Sequence, residues 1–96
     1  MDAEYAGKSS RMDFLLKREQ IIVETKKTRQ GLGQNDIGDQ LIIDIARYQI
    51  HQDCKLLICF VYDPDGRITN PVGFEKDLSG KRENIQVYVV VAPKGT

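Results

Sequence analysis

The spacing of apolar positions changes along this chain, and each change marks an element. From Gln20 to Lys26 the run QIIVETK is rich in β-branched side chains, as strands are. Upstream, Arg11 to Lys17 (RMDFLLK) is a second strand, and the polar step Lys17-Arg18-Glu19-Gln20 separates the two. From Asp36 to His51 the period becomes helical. Ile37, Leu41, Ile45 and Tyr48 recur at helix spacing, and Ile42 and Ala46 widen the apolar stripe. Asp36 is placed to cap this helix and Asp39 adds favourable charge to its first turn. Gln40, Asp44 and Arg47 then line a different face. Lys55 to Tyr62 (KLLICFVY) is a continuous apolar run and predicts a buried central strand. Asp63-Pro64-Asp65-Gly66 is a strong turn, followed by a short extended Arg67-Ile68-Thr69. Asn70-Pro71 opens a helix over Val72 to Leu78, and Ser79-Gly80 ends it. Glu83 to Ala92 is the last strand. The order is β-β-α-β-α-β, which predicts an α/β (α+β) fold with a mixed central sheet flanked by helices. The helix after Lys26 makes a crossover that is right-handed if its two strands are parallel. In the polar start, Met1 to Ser10, Glu4-Tyr5-Ala6 reads as a short strand or the frayed end of a longer element.

Length and composition narrow the picture. With 96 residues, residues 1–96 form one small domain, and the abrupt start suggests a C-terminal piece of a larger protein. Hydrophobic residues make up 41% and charged residues 29%, a globular rather than disordered balance. The formal net charge is zero, which excludes a global basic field. Residues 1–30 nevertheless hold seven Lys/Arg against five Asp/Glu, so a local basic rim of Lys8, Arg11, Lys26, Lys27 and Arg29 can form around the hairpin. A solvated loop rim accounts equally well for any one of them. Cys54 and Cys59 lack metal-site spacing and read as buried free thiols of a cytoplasmic protein. No apolar run is long enough to span a membrane, and no signal-peptide pattern or repeat is present.

The candidate chemistry lies in the hairpin. Side chains alternate faces along a strand, so Ile22, Glu24 and Lys26 share one face. A loop centred between Arg18 and Glu19 pairs residues whose numbers sum to 37, which sets Asp13 opposite Glu24. Directly opposed residues have Cβ atoms roughly 4.5–5.5 Å apart and point to the same face. A slip of one residue would move Asp13 to the wrong face. Two opposed carboxylates can grip one cation. Mg²⁺ takes oxygen ligands and keeps several waters, so one or two carboxylates suffice, and the backbone carbonyl of Thr25 offers a further ligand. Lys26 would then orient an attacking water or offset charge on a phosphate. That set is what a metal-dependent phosphodiesterase needs. The pattern D-x(10)-E-x-K is weak by itself, because an amphipathic hairpin with a Glu-Lys pair arises often by chance.

Other positions keep two explanations open. Lys27, Arg29, Gly31 and Gly33 could approach a phosphate or simply connect strand to helix. Gln40 lies near the helix start, within reach of the site, or is a solvated helix residue. His51 reads as a capping or surface residue. A P-loop, a cysteine–histidine pair and a zinc knuckle lack their required residues.

The phrases RMDFLLK, IIVETKKTRQGLG, QLIIDIARY and CFVYDPDGRI together resemble the PD-(D/E)XK nuclease superfamily, over about residues 8–92. The likeness is to restriction-endonuclease-like domains at the C-terminal end of larger prokaryotic proteins. It implies that Asp13 and Glu24 bind Mg²⁺, with Mn²⁺ able to substitute. It also implies that Lys26 assists the water, that Gln40 supports the site, and that the partner is DNA. Many members of the superfamily form homodimers to cut both strands. An initial helix that can supply another acid is missing here or reduced to a few residues around Glu4. The expected activity is a Mg²⁺-dependent DNA endonuclease leaving 5′-phosphate ends. The alternatives are a non-catalytic nuclease-like module for nucleic-acid binding or assembly, and a nuclease toxin acting on DNA or tRNA.

Overall fold

A computed structural model describes residues 4–5 and 13–94. The chain runs β1 (Glu4–Tyr5), β2 (Asp13–Leu16), β3 (Ile21–Lys27), α1 (Gln34–Gln49), β4 (Leu56–Tyr62), α2 (Pro71–Leu78), β5 (Gly80–Arg82) and β6 (Ile85–Ala92). The six strands form one mixed sheet in the order β1-β2-β3-β4-β6-β5. β3, β4 and β6 are parallel, and the outer pairings are antiparallel.

The predicted elements are present, with one addition at a sheet edge. Glu4–Tyr5 is a strand, not a remnant of a helix, and pairs with β2. Gly80–Arg82 forms β5, where only a helix stop was expected. It turns back through Glu83-Asn84 onto the start of β6, so the last strand begins at Ile85 and not at Glu83. Glu83 has a φ of 46°, a left-handed turn conformation that strand backbone does not adopt. The Arg82 guanidinium donates to the carbonyl of Leu78 at 2.8 Å, which ties β5 to the end of α2.

The hairpin has the predicted register. Asp13 pairs with Glu24, Phe14 with Val23, Leu15 with Ile22 and Leu16 with Ile21. Its loop closes through a Gln20 N–H to the Lys17 carbonyl, with Gln20 at a φ of 61°.

Both crossovers, β3-α1-β4 and β4-α2-β6, step in the same direction across the sheet. Crossovers of one hand therefore put both helices on one face. A single core forms there from Ile22 of β3, Leu57, Cys59 and Val61 of β4, Ile85, Val87, Val89 and Val91 of β6, and the inner faces of the helices. This corrects the expectation of a β4 buried on both sides. Phe60 and Tyr62 lie on the opposite face and are 37% and 44% exposed, beside exposed Tyr88 and Val90 of β6. Among the described residues no helix lies on that face.

The first helix also differs from its predicted form. It starts at Gln34, with Gly33 as N-cap. Asp36 sits in the first turn, where its carboxylate accepts from the Gly33 N–H at 3.2 Å. The buried stripe is Ile37, Leu41, Asp44, Ile45 and Tyr48. Ile42 is 57% exposed and Ala46 is exposed too, so they do not widen the core face. The helix is rotated toward Asp44, because the sheet offers that aspartate a cationic partner. The second helix has the predicted start: Asn70 caps it by accepting from the Gly73 N–H at 3.1 Å, and Pro71 occupies its first turn.

Candidate active site between the third strand and the first helix

The alternation of β3 turns Ile22, Glu24 and Lys26 toward the helices and Ile21, Val23 and Thr25 away. Glu24 is fully buried and Lys26 is 7% exposed. Two ionisable side chains at such depth on a core strand need a reason, since an unpaired buried charge is costly. The Lys26 ammonium lies 3.8 Å from Glu24 Oε1 and 2.9 Å from Asp44 Oδ2 of α1. Asp44 Oδ1 in turn accepts from the Arg47 guanidinium at 2.9 Å. Charges thus alternate from the sheet to the helix rim: Glu24, Lys26, Asp44, Arg47. On the other side of Glu24 the Cys59 thiol of β4 lies 4.0 Å from Oε2.

The end of β3 is held by a second buried acid. Asp63, 3% exposed, follows β4. Its Oδ1 accepts from the Thr28 hydroxyl at 2.6 Å and from the Arg67 N–H at 2.9 Å, and its Oδ2 accepts from the Ile68 N–H at 2.9 Å. Burial pushes this carboxyl up. The bonds from Thr28, Ile68 and Arg67, with the Arg67 charge, outweigh burial and hold it below the ordinary aspartate value. Thr28 lies two residues beyond Lys26, so this clamp fixes the strand end that carries the candidate site.

The structure brings some predicted residues together and leaves others apart. Asp13 stands opposite Glu24 in the ladder. Glu24 and Lys26 are neighbours on the covered face. Thr25 lies on the opposite face, so its backbone carbonyl is what it can offer the site. Gln40 is half-buried one helical turn before Asp44. The helix residue bonded to Lys26 is Asp44 and not Gln40. The sequence pattern puts Asp44 on one face with Gln40 and Arg47, apart from the apolar stripe, and singles out only Gln40 for the site. The available signal was its position three residues after Leu41 and four before Tyr48, inside the core stripe. Lys27 and Arg29 are exposed, and the Lys27 ammonium lies 5.7 Å from the centre of the Tyr62 ring. Lys8 and Arg11 fall outside the described residues. His51 follows the end of α1, and its Nδ1 accepts from the Asp53 N–H at 3.0 Å. Cys54 and Cys59 are buried free thiols, and burial pushes the Cys54 thiol up.

The donors suit a hard divalent cation in type: two carboxylate residues paired across adjacent strands, with a backbone carbonyl beside one of them. Among the described residues no group of three or more His, Cys, Asp or Glu side chains is gathered as a metal cluster. No helix among them is long and apolar enough to cross a membrane.

A mixed sheet with an antiparallel hairpin carrying Asp13 and Glu24-Thr25-Lys26, followed by a helix and a parallel strand, is the restriction-endonuclease-like α+β fold of the PD-(D/E)XK type. A family model described as REase_DpnII-MboI matches residues 1–94, and the chain belongs to this DpnII-MboI restriction endonuclease family. No curated protein and no solved structure matches the chain.

Proposed function

We propose that this chain is a divalent-metal-dependent endonuclease domain that hydrolyses DNA phosphodiester bonds. The observation that carries the reading is the buried pair Glu24 and Lys26, 3.8 Å apart on β3, with Asp13 opposite Glu24 in the ladder. In a chain of a restriction endonuclease family, this pair joins a carboxylate ligand to a cation for phosphate chemistry. Asp13, Glu24 and the Thr25 carbonyl would hold Mg²⁺, with Mn²⁺ able to replace it. A bound divalent ion supplies a more acidic water and offsets charge on the phosphate oxygens.

The protein's own groups do the rest. Glu24 is fully buried beside Lys26, where electrostatic attraction exceeds its value in bulk water. Lys26 donates hydrogen bonds to the attacking water or to a phosphate oxygen and meets the negative charge that develops there. Gln40, one turn before Asp44, supports the site from α1. Lys27 and Arg29, with Lys8 and Arg11, draw in the DNA backbone, a contribution that weakens as salt rises. The products are 5′-phosphate ends. Two copies acting together would cut both strands. Cleavage of a plasmid that requires Mg²⁺ and Glu24 tests the reading.

A further inference from the structure

The ion pair from α1 to Lys26 carries an inference that rests on this nuclease reading and extends it. We infer that Asp44 is the positioning residue for Lys26: it holds the ammonium at the place from which it acts on the phosphate or the water.

A lysine side chain has a flexible four-carbon stem, and its charge is useful only where that stem is held. Glu24 is too far to hold it by hydrogen bonding, since charge-assisted N–H···O bonds are about 2.7–2.9 Å and this gap is 3.8 Å. Asp44 lies at 2.9 Å, within that range. Arg47 engages the other oxygen of Asp44 at the same distance, so the carboxylate is gripped from both sides. Asp44 keeps the ammonium in place against the repulsion of any cation held at Glu24.

Stability does not explain the arrangement. Asp44 is 4% exposed in a stripe otherwise made of Ile37, Leu41, Ile45 and Tyr48. Replacing a buried ion pair by apolar residues of similar volume is often neutral or stabilising. An aspartate in a core stripe, joined to the lysine beside Glu24, is placed for that lysine's work. Its helix fixes it more rigidly than a loop would.

The test is Asp44→Asn, which keeps the shape and one acceptor oxygen and removes the charge. Displacing a catalytic group by about 1 Å can cost on the order of 100-fold in rate. The expected result is a kcat lower by about 10–100-fold, with KM for plasmid DNA within about twofold of wild type. A second readout needs no activity: the ¹⁵N-ammonium NMR signal of Lys26, assigned by its absence in Lys26→Met. A held ammonium gives a protected signal in the wild type, and Asp44→Asn is expected to lose it. An unchanged kcat, or a Lys26 signal that persists in the variant, overturns the inference. So does a wild-type spectrum with no protected Lys26 signal. If Asp44→Asn does not fold, Asp44→Glu keeps the charge, moves it by one methylene, and is expected to show the same split in weaker form; a wild-type kcat there also overturns the inference. A wild-type chain that cleaves no DNA defeats the nuclease reading alone, because the ammonium spectra still decide whether Asp44 holds Lys26.

Discussion

Thr28→Val isolates the clamp that fixes the end of β3. The substitution is nearly isosteric and removes one hydroxyl, which lies 2.6 Å from Asp63 Oδ1 in a site where Thr28 is 1% and Asp63 3% exposed. Hydrogen bonds to a charged group contribute about 1.5–3 kcal/mol. Asp63 keeps its bonds from the Arg67 and Ile68 N–H groups, so the carboxylate is not left bare. The expected loss is about 2 kcal/mol, which lowers Tm by about 8–16 °C in a domain of this size. Asp63 titrates below its ordinary value in the folded chain. Stability from a depressed carboxyl is fully present above the unfolded-state pKa and is lost as pH falls through the folded one. The difference between wild type and variant should therefore be constant from neutral pH to about pH 5 and shrink below about pH 4. Urea unfolding of both proteins at pH 7, 5 and 3 measures it. A loss under about 0.5 kcal/mol at pH 7, or one that does not shrink at pH 3, would show that the hydroxyl does not stabilise the ionised carboxylate.

Two further outcomes follow from the same geometry. Asp13→Ala and Lys26→Ala should each abolish DNA cleavage with the fold intact by circular dichroism; Mn²⁺ binding by calorimetry should fall in the first and persist in the second, and full activity in either would remove the roles given to these residues. Leu57→Ala should cost about 3 kcal/mol in urea unfolding, because Leu57 is fully buried between Ile22 and Val87 in the sheet and the cavity cannot close; a cost under about 1 kcal/mol would contradict the placement of the core.

The hairpin was legible because its loop is a polar step between two apolar strands, so one register satisfied both faces. That register placed Asp13 opposite Glu24 before any coordinates. The helix that packs over the site was harder to orient. Apolar residues at Ile37, Leu41, Ile42, Ile43, Ile45 and Tyr48 surround most of the cylinder, and periodicity alone could not tell that Ile42 and Ile43 face solvent. Asp44 reads only as sharing a face with Gln40 and Arg47, because its pairing with Lys26 runs across elements and is not written in the helix period. The edge strand β5, Gly80-Lys81-Arg82, has no β-forming composition and exists because it can pair with β6. The bare face of β4 was hidden for a related reason. An apolar run such as LLICFVY reads the same whether one face of the sheet is covered or both.

The central claim is that Glu24 serves a metal-dependent cut in DNA. It is tested most directly by incubating supercoiled plasmid with the chain in Mg²⁺, Mn²⁺ or EDTA, beside Glu24→Ala under identical conditions. The expected result is nicked or linear DNA with either metal, none in EDTA, and none with the variant. Cleavage that survives EDTA, or that Glu24→Ala retains in full, would contradict the claim.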